Sequence, residues 1–394
     1  MIVSISALKI LLLFLWLLSL RLFSSHDALL TFFIVMFGCF FVLPSVFVNI
    51  EVLKTDYMLR SMYLTDIQVF TMLNCLIVYL ASLIFFFQMH GKQIVVKPKR
   101  AMEEFKMSNL ELIILVGIFM VIMEFYIRKI VAIQNEGYVA YHLGLISVKK
   151  GIGFVLIELL FQAKLYILMA RKSVLAFVLF FLYSLAIVLT GMRMPFIVNS
   201  LLAYILYLNL KGNGGIGFKR LLKYLLIGFG IVPPLLLVSN RFRQGALQNI
   251  SLLDEVQRSY EELFVILGVT LDTLKGAIVM RNNGDVSISL FSRVTSTFGS
   301  VLNKMSSGSQ LSMSEKLDFK SFGSVLANYF NPSVYKEGLT IGSSFIAETY
   351  FSFGYVGCVC AAMLHIHLTS RMKRLNLLNT GNVFIWFSFG YWFL

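Results

Sequence analysis

Charged residues are scarce in this chain of 394 residues. Only 14% of the residues are Asp, Glu, Lys or Arg, whereas 58% are hydrophobic and the mean hydropathy is +0.82. Soluble domains are nearer a quarter charged and half apolar, so a single soluble core is excluded. The apolar residues occur in blocks of about 17–25 residues, the length that spans a bilayer core about 30 Å thick. The sequence therefore predicts a protein that crosses a membrane several times.

Cysteine and histidine are also scarce. Cys39, Cys75, Cys358 and Cys360 lie inside apolar blocks without the spacing of a metal site or a disulfide framework, so we expect small buried hydrophobic residues. None of the five histidines lies in the longest loop, and no metal-ligand spacing occurs. Walker loops, dinucleotide fingerprints and nucleophile elbows are absent. We therefore expect no metal, no cofactor and no nucleotide-using reaction in the cytoplasm.

The net charge of +14 does not indicate a nucleic-acid partner. Many of the basic residues lie in short loops between apolar blocks, and they concentrate in alternate loops. Lys and Arg favour cytoplasmic loops of membrane proteins, which explains this pattern without an anionic ligand. The same bias places the long loop of residues 240–342, and both termini, outside the cytoplasm.

The apolar blocks define the predicted fold. They are residues 4–23, 28–50, 67–89, 109–127, 150–170, 173–191, 194–210, 221–239, 343–369 and 380–394. Their continuous apolar character indicates helices rather than the alternating strands of a barrel. We predict an all-α polytopic membrane protein of about ten to twelve transmembrane helices. About eight helices would lie in 1–239, a large periplasmic loop in 240–342, and about two helices in 343–394.

The long loop has a helical pattern of its own. From Leu252 to Ile278, apolar residues recur at spacings of three and four, which predicts an amphipathic helix. This helix would lie on the membrane or pack against the bundle. Asp272 and Lys275 are expected on its polar face.

Three arginines lie on the predicted outer side of the membrane. Arg193 occupies a turn between Thr190 and Pro195, and Arg241 and Arg243 follow the end of an apolar block. They could be interfacial anchors. They could also grip a phosphate group, because a guanidinium presents paired donors to phosphate oxygens.

One acidic residue lies in an apolar segment rich in glycine. The run from Gly342 to Gly357 places Glu348 about two turns into a predicted span, where a charge is costly and often functional. The alternative is a structural carboxylate paired with a buried base or hydroxyl. Glu124 and Glu158 lack a surrounding motif and are interpreted as structural.

These features together resemble bacterial O-antigen polymerases of the Wzy type. The resemblance lies in the many spans, a Thr-Gly-x-Arg turn, an arginine pair that opens a large outer loop, and a closing Gly-x-Ser-x-x-x-Glu-x-Tyr segment. It is specific at residues 190–195, 239–245 and 338–357. It implies glycosyl transfer between repeat units linked to undecaprenyl pyrophosphate, at the periplasmic face of the inner membrane. The implied partners are this lipid-linked oligosaccharide as donor and acceptor, membrane lipid and a chain-length regulator.

The resemblance also implies roles for particular residues. Arg193, Arg241 and Arg243 would neutralise the leaving pyrophosphate, and Glu348 would act as a base or as a structural acceptor for an arginine. The expected substrate-binding residues are Gly342, Ser344, Tyr350 and Arg281.

Other membrane activities remain as alternatives. An O-antigen ligase would share the fold and the arginines. A flippase for lipid-linked oligosaccharides would have short loops and two similar halves, which this chain lacks. An O-acyltransferase would normally require a base such as histidine.

Overall fold

The computed structural model describes residues 2–24, 28–47, 52–55, 59–90, 108–136, 151–170, 174–190, 217–223, 230, 270–284, 322–330, 332 and 344–374. In these ranges the chain is helical apart from short connections and one β-hairpin, which confirms the predicted helical character for this part of the protein. The predicted number of spans and the predicted extent of the outer loop depend on residues outside these ranges and stay predictions.

The helices are numbered here in chain order. They are α1 (Ile2–Ser24), α2 (Ala28–Phe37), α3 (Leu43–Phe47), α4 (Asp66–His90), α5 (Asn109–Glu136), α6 (Ile152–Ala170), α7 (Val174–Leu189), α8 (270–283), α9 (Phe322–Phe330), α10 (Phe345–Phe353) and α11 (Tyr355–Arg374). A π-helix, Gly38–Val42, joins α2 to α3, and residues 218–223 are also helical. The antiparallel strands β1 (Val52–Thr55) and β2 (Leu59–Tyr63) form the hairpin.

Three of the described helices are long and apolar enough to cross a bilayer. They include the segments Ser4–Ser24, Asp66–Met89 and Asn109–Asn135, and each begins within one residue of a predicted block. The segments Leu30–Val46 and Val174–Leu189 are shorter apolar helices. Hydropathy therefore located the first residues of the three long helices to within one position.

Two of the long helices begin with reciprocal side-chain caps. At the start of α4, Thr65 N–H donates to Gln68 Oε1 at 2.9 Å, and Gln68 N–H donates to Thr65 Oγ1 at 3.3 Å. At the start of α5, Ser108 and Glu111 exchange equivalent hydrogen bonds at 3.1 and 3.2 Å. Each capping box satisfies two N–H groups, and it explains why the helices begin at these residues.

The predicted second span is interrupted. A π-helix separates α2 from α3 at Gly38, and a Cβ at this residue would lie 2.1 Å from the Trp16 ring. The Trp16 indole N–H donates to the Ile34 carbonyl at 2.8 Å. A π-helical turn changes the direction in which side chains project, and here it accompanies the packing of a large indole against a glycine.

Contacts divide the chain into two compact units, each assembled from separated stretches of sequence. The first unit consists of residues 1–20, 34–94 and 264–368, and the second consists of residues 21–33, 95–263 and 369–394. The first contains α4, the hairpin and α8 to α10, together with most of α11. In the second, α5, α6 and α7 pack against one another.

The cysteines are all free, but their burial differs from the expectation. Cys75 and Cys358 are buried and Cys39 is partly buried, whereas Cys360 is exposed. The expected burial is therefore wrong for Cys360. Residues two apart on a helix point in nearly opposite directions, so burial of Cys358 places Cys360 on the outer face of α11.

Candidate active site

The start of α10 is determined by Ser344. Its backbone is extended (φ −128°, ψ 140°), and its Oγ accepts a hydrogen bond from the Ala347 N–H at 3.1 Å. A serine is favoured at this position because its oxygen satisfies an N–H that has no partner within the helix. The Ser344 carbonyl also accepts from the Glu348 N–H at 3.0 Å. Ser344 therefore holds the backbone on which Glu348 lies.

Glu348 is buried in the first turn of this helix, with 5% of its surface exposed. The sequence interpretation placed it about two turns into a span. That placement was wrong, because the Ser344 cap makes the helix begin only at Phe345. The positive end of the helix dipole favours a carboxylate in the first turn, which lowers the cost of its burial.

A sharp break separates α10 from α11 at Gly354. Its φ is +63°, a conformation that L side chains rarely adopt, and its N–H donates to the Tyr350 carbonyl at 2.7 Å. At Gly357, a Cβ would lie 2.0 Å from the Thr349 carbonyl oxygen. The two glycines allow the first turn of α11 to fold closely against the last turns of α10.

Helix α8 lies beside α10 and is cross-linked to it at two levels. At one level the hydroxyls of Thr273 and Ser344 lie 3.3 Å apart. At the other, Arg281 Nη1 donates to the carbonyls of Tyr350, at 3.1 Å, and Phe351. Because both residue numbers increase from the first level to the second, the two helices run parallel.

Arg281 binds the C-terminal end of α10. Besides its hydrogen bonds to backbone carbonyls, its Cζ lies 5.7 Å from the centre of the Tyr350 ring. A Cβ at Gly354 would approach Arg281 Nη2 to 3.3 Å, so the glycine makes room for the guanidinium. A cation at a helix C-terminus is stabilised by the helix dipole and by the unpaired carbonyls of the last turn.

The Tyr350 side chain is buried rather than exposed. Only 4% of its surface is exposed, and its ring contacts the Tyr355 ring edge to face at 5.8 Å between centroids. The resemblance implied that this residue binds substrate. Its burial between Arg281 and Tyr355 favours packing, which fixes the guanidinium beside the break.

The expectation that Asp272 and Lys275 face solvent on α8 is wrong. Both are almost fully buried, and Lys275 Nζ lies 2.8 Å from Asp272 Oδ1. Every residue from 271 to 280 is buried, so this part of the predicted amphipathic helix packs within the protein. Burial raises the pKa of the Asp272 carboxyl group, and the Lys275 ammonium partly opposes that shift.

Four of the candidate site residues lie outside the described residues. They are Arg193, Arg241, Arg243 and Gly342. The other four, Ser344, Glu348, Tyr350 and Arg281, are brought together by α8 and α10. Within the described ranges, no three His, Cys, Asp or Glu side chains are arranged to hold a metal ion.

A second buried glutamate was interpreted from the sequence as structural and was not a site candidate. Glu158 on α6 is 6% exposed, and its Oε1 accepts hydrogen bonds from the hydroxyls of Tyr126 on α5 and Tyr183 on α7, the latter at 2.9 Å. Gln162 donates to the Tyr183 hydroxyl. We call these four residues the tyrosine–glutamate cluster. Lys129 is fully buried beside it, with Nζ 6.0 Å from the centre of the Tyr126 ring.

The sequence contains a signal for part of this cluster, namely polar residues spaced along one face of a helix. Glu158 and Gln162 are four residues apart, and Tyr126 and Lys129 are three apart, so each pair shares one face of an apolar helix. Spacing does not reveal that the two faces meet, nor that a third helix supplies Tyr183. Lys164, two residues beyond Gln162 on α6, pairs with Glu111 of the α5 cap at 3.2 Å.

Comparison with known proteins identifies a family that matches this sequence. A model of the family described as O-antigen polysaccharide polymerase Wzy matches residues 1–394, the whole chain. No curated protein and no solved structure matches the chain.

Proposed function

The chain belongs to the O-antigen polysaccharide polymerase Wzy family, and on that basis we propose that it joins lipid-linked repeat units at the periplasmic face of the inner membrane. Family membership implies glycosyl transfer in O-antigen polymerisation, a step of lipopolysaccharide biosynthesis, with lipid-linked oligosaccharides as substrates. Undecaprenyl pyrophosphate as the carrier and the periplasmic position of the site belong to the proposal. The bias of Lys and Arg in the short loops supports that orientation.

The proposed reaction displaces a pyrophosphate. A hydroxyl oxygen of the acceptor unit forms a bond to the anomeric carbon of the donor glycan. The bond from that carbon to the pyrophosphate oxygen breaks, and polyprenyl pyrophosphate leaves with the electron pair. The hydroxyl proton passes to the Glu348 carboxylate. Positioned bases of this kind contribute about 10²–10⁴-fold in rate.

Arginines would stabilise the negative charge that develops on the leaving group. Arg193, Arg241 and Arg243 are proposed to bind the pyrophosphate, because fixed guanidinium groups neutralise it without proton transfer. Arg281 is proposed to assist at the edge of the site. Its described hydrogen bonds use Nη1, and its Nη2 and Nε lie beside Gly354.

The observation that supports this assignment best is the position of Arg281. Its guanidinium lies at the C-terminal end of the same short helix whose first turn contains Glu348. The helix has nine residues, so the acid and the cation lie within about 10 Å along one axis. A proton acceptor and an anion-binding group are both needed by glycosyl transfer from a pyrophosphate.

The test for Glu348 uses a strain that lacks this chain and shows the lipopolysaccharide ladder on a gel. Glu348→Gln should leave lipid A–core with a single repeat unit, because the amide cannot accept the proton, whereas Glu348→Asp should retain part of the ladder. Full ladders from the Gln variant would remove Glu348 as the base.

The arginine test uses the same strain. Arg193→Ala, Arg241→Ala and Arg243→Ala should each shorten or abolish the ladder while the protein inserts normally, and Arg281→Ala should have a smaller effect. Arg128→Ala is the matched control, because Arg128 is an exposed arginine paired only with Glu124 among the described residues. Wild-type ladders from all four site variants would overturn the pyrophosphate-binding role.

The same gels separate the alternative functions. Loss of a polymerase leaves core lipid with one repeat unit, whereas loss of a ligase or a flippase leaves none. Cysteine accessibility across residues 240–342 tests the orientation independently. Labelling of this stretch only from the cytoplasm would rule out a periplasmic site. A chain-length regulator is a proposed further partner, and its deletion should change ladder length without abolishing polymerisation.

A further inference from the structure

Helices α8 and α10 are joined by hydrogen bonds at two separate levels. The two cross-links, Thr273 to Ser344 and Arg281 to Tyr350, are eight residues apart on α8 and six apart on α10. At 1.5 Å per residue, these separations are about 12 Å and about 9 Å. Similar separations are expected for two nearly parallel helices joined at both ends.

One face of α8 makes both cross-links. Thr273, Ala277 and Arg281 are spaced by four residues and therefore lie in one stripe along the helix. Thr273 and Arg281, at the two ends of this stripe, both reach α10, and Ala277 between them is completely buried. Two cross-links at separate levels leave little freedom for α10 to slide or rotate against α8.

A chain of hydrogen bonds connects this stripe to Glu348. Thr273 Oγ1 lies within hydrogen-bond distance of two oxygens, the Thr270 carbonyl at 2.7 Å and Ser344 Oγ at 3.3 Å, and its hydroxyl is the donor to both. Ser344 Oγ in turn accepts the Ala347 N–H, and the Ser344 carbonyl accepts the Glu348 N–H. The backbone of the first turn of α10 is therefore anchored to α8 through one serine.

We propose that Thr273 is a positioning residue for the polymerisation reaction. Acting through Ser344, it sets the position of the first turn of α10 and hence the direction of the Glu348 carboxylate. Arg281 fixes the opposite end of the same helix. The inference rests on the proposed role of Glu348. It adds a residue, and a structural task for α8, that neither the motifs nor the family match assigns.

The test compares Thr273→Val with Thr273→Ser. Valine keeps the shape of threonine but cannot hydrogen-bond to Ser344, whereas serine keeps the hydroxyl. Thr349→Val is the matched control, because Thr349 is a buried threonine of α10 whose hydroxyl donates to carbonyls of its own helix, Phe345 and Ile346. Each variant is purified in detergent as the full chain.

Two properties are measured. The first is the rate of glycan extension with purified lipid-linked repeat units, resolved into kcat and KM. For Thr273→Val, we expect kcat to fall about tenfold with little change in KM, because displacement of a catalytic group by about 1 Å can cost up to 10²-fold in rate. The second is hydrogen–deuterium exchange of the amides of Ala347 and Glu348, which should become faster. Thr273→Ser and Thr349→Val should resemble wild type in both.

The outcomes separate this inference from the proposed base. Unchanged amide exchange in Thr273→Val overturns the positioning role, whatever the activity. Faster exchange with normal kcat, while Glu348→Gln is inactive, also overturns it and leaves the base assignment intact. Full activity of Glu348→Gln removes the base assignment, and in that case the exchange result alone decides whether Thr273 anchors α10.

Discussion

Glu158 and Glu348 are equally buried, yet the structure surrounds them differently. Oε1 of Glu158 accepts hydrogen bonds from tyrosines on two other helices, so side chains of three helices are joined at this acid. The hydrogen bonds described beside Glu348 join the Ser344 and Arg281 side chains to backbone atoms of α10, and Arg281 is exposed. Burial alone therefore does not decide between a structural role, as interpreted for Glu158, and the catalytic role proposed for Glu348. The described contacts differ in kind: one set joins three helices through their side chains, and the other fixes the backbone of one short helix.

The largest expected effect is on the stability of the second unit. Glu158→Ala removes the acceptor of two buried tyrosine hydroxyls. Each buried donor left without its acceptor costs about 1–3 kcal/mol. We expect a large fall in the unfolding temperature, measured by far-ultraviolet circular dichroism in detergent micelles.

Glu124→Ala is its control, because Glu124 lies on α5 with 60% of its side chain exposed. Substitution of such an exposed acid should change stability by less than about 0.5 kcal/mol. An equal fall in unfolding temperature for Glu158→Ala and Glu124→Ala would show that the tyrosine–glutamate cluster contributes no more to stability than an exposed acid does.

The next prediction concerns the tyrosines of the cluster. The hydroxyls of Tyr126 and Tyr183 both donate to Glu158, and the Tyr183 hydroxyl also accepts from Gln162. Tyr183→Phe should destabilise the protein by about 1–3 kcal/mol, because it removes the donation to Glu158 and takes the acceptor from the Gln162 amide. Thermal unfolding of the variant tests this, and an unchanged unfolding temperature would show that the Tyr183 hydroxyl contributes nothing to stability.

The break between α10 and α11 offers a similar test in the first unit. Gly357→Ala would place a Cβ against the Thr349 carbonyl, and such overpacking costs about 1–3 kcal/mol. Gly117→Ala is the matched control, because this glycine of α5 has nothing within 4 Å of the added carbon. In a helix interior, alanine is more favourable than glycine by about 0.5–1 kcal/mol. We expect Gly357→Ala to lower the unfolding temperature and Gly117→Ala to raise it. A change in the same direction for both variants would argue against the close approach of Gly357 to the Thr349 carbonyl.

The smallest expected effect is a dependence of stability on pH. Burial raises the folded-state pKa of Asp272 above its unfolded value, although Lys275 opposes the shift. The contribution of this carboxyl group is then fully present below the unfolded pKa and is lost as the pH rises through the folded-state value. Asp272→Asn should remove that part of the slope of unfolding free energy against pH.

The exposed Asp66→Asn variant is measured alongside as the control for the loss of a carboxylate. An unchanged slope in Asp272→Asn would mean that Asp272 does not titrate over the pH range in which the protein folds.

Much of the helical framework was predictable from single stretches of sequence. The hydropathy of residues 67–89 located α4, whereas the predicted span 343–369 did not reveal the break between α10 and α11 at Gly354. Asp272 and Lys275 were misplaced because their charge was interpreted as exposure, although an ion pair on one helix can be buried when its partners satisfy each other. The β-hairpin of residues 52–63 was also missed, since its short strands lie between apolar blocks.

The amino-acid sequence by itself determined that this chain is a helical membrane protein of the Wzy family, because hydropathy, caps and short motifs are properties of neighbouring residues. Tertiary structure decided which polar residues meet. Thr273 reaches Ser344 across 71 positions of the chain, and Tyr126 reaches Glu158 from another helix. Such encounters depend on how helix faces pack together, and periodicity within one helix contains no information about the face that will cover it.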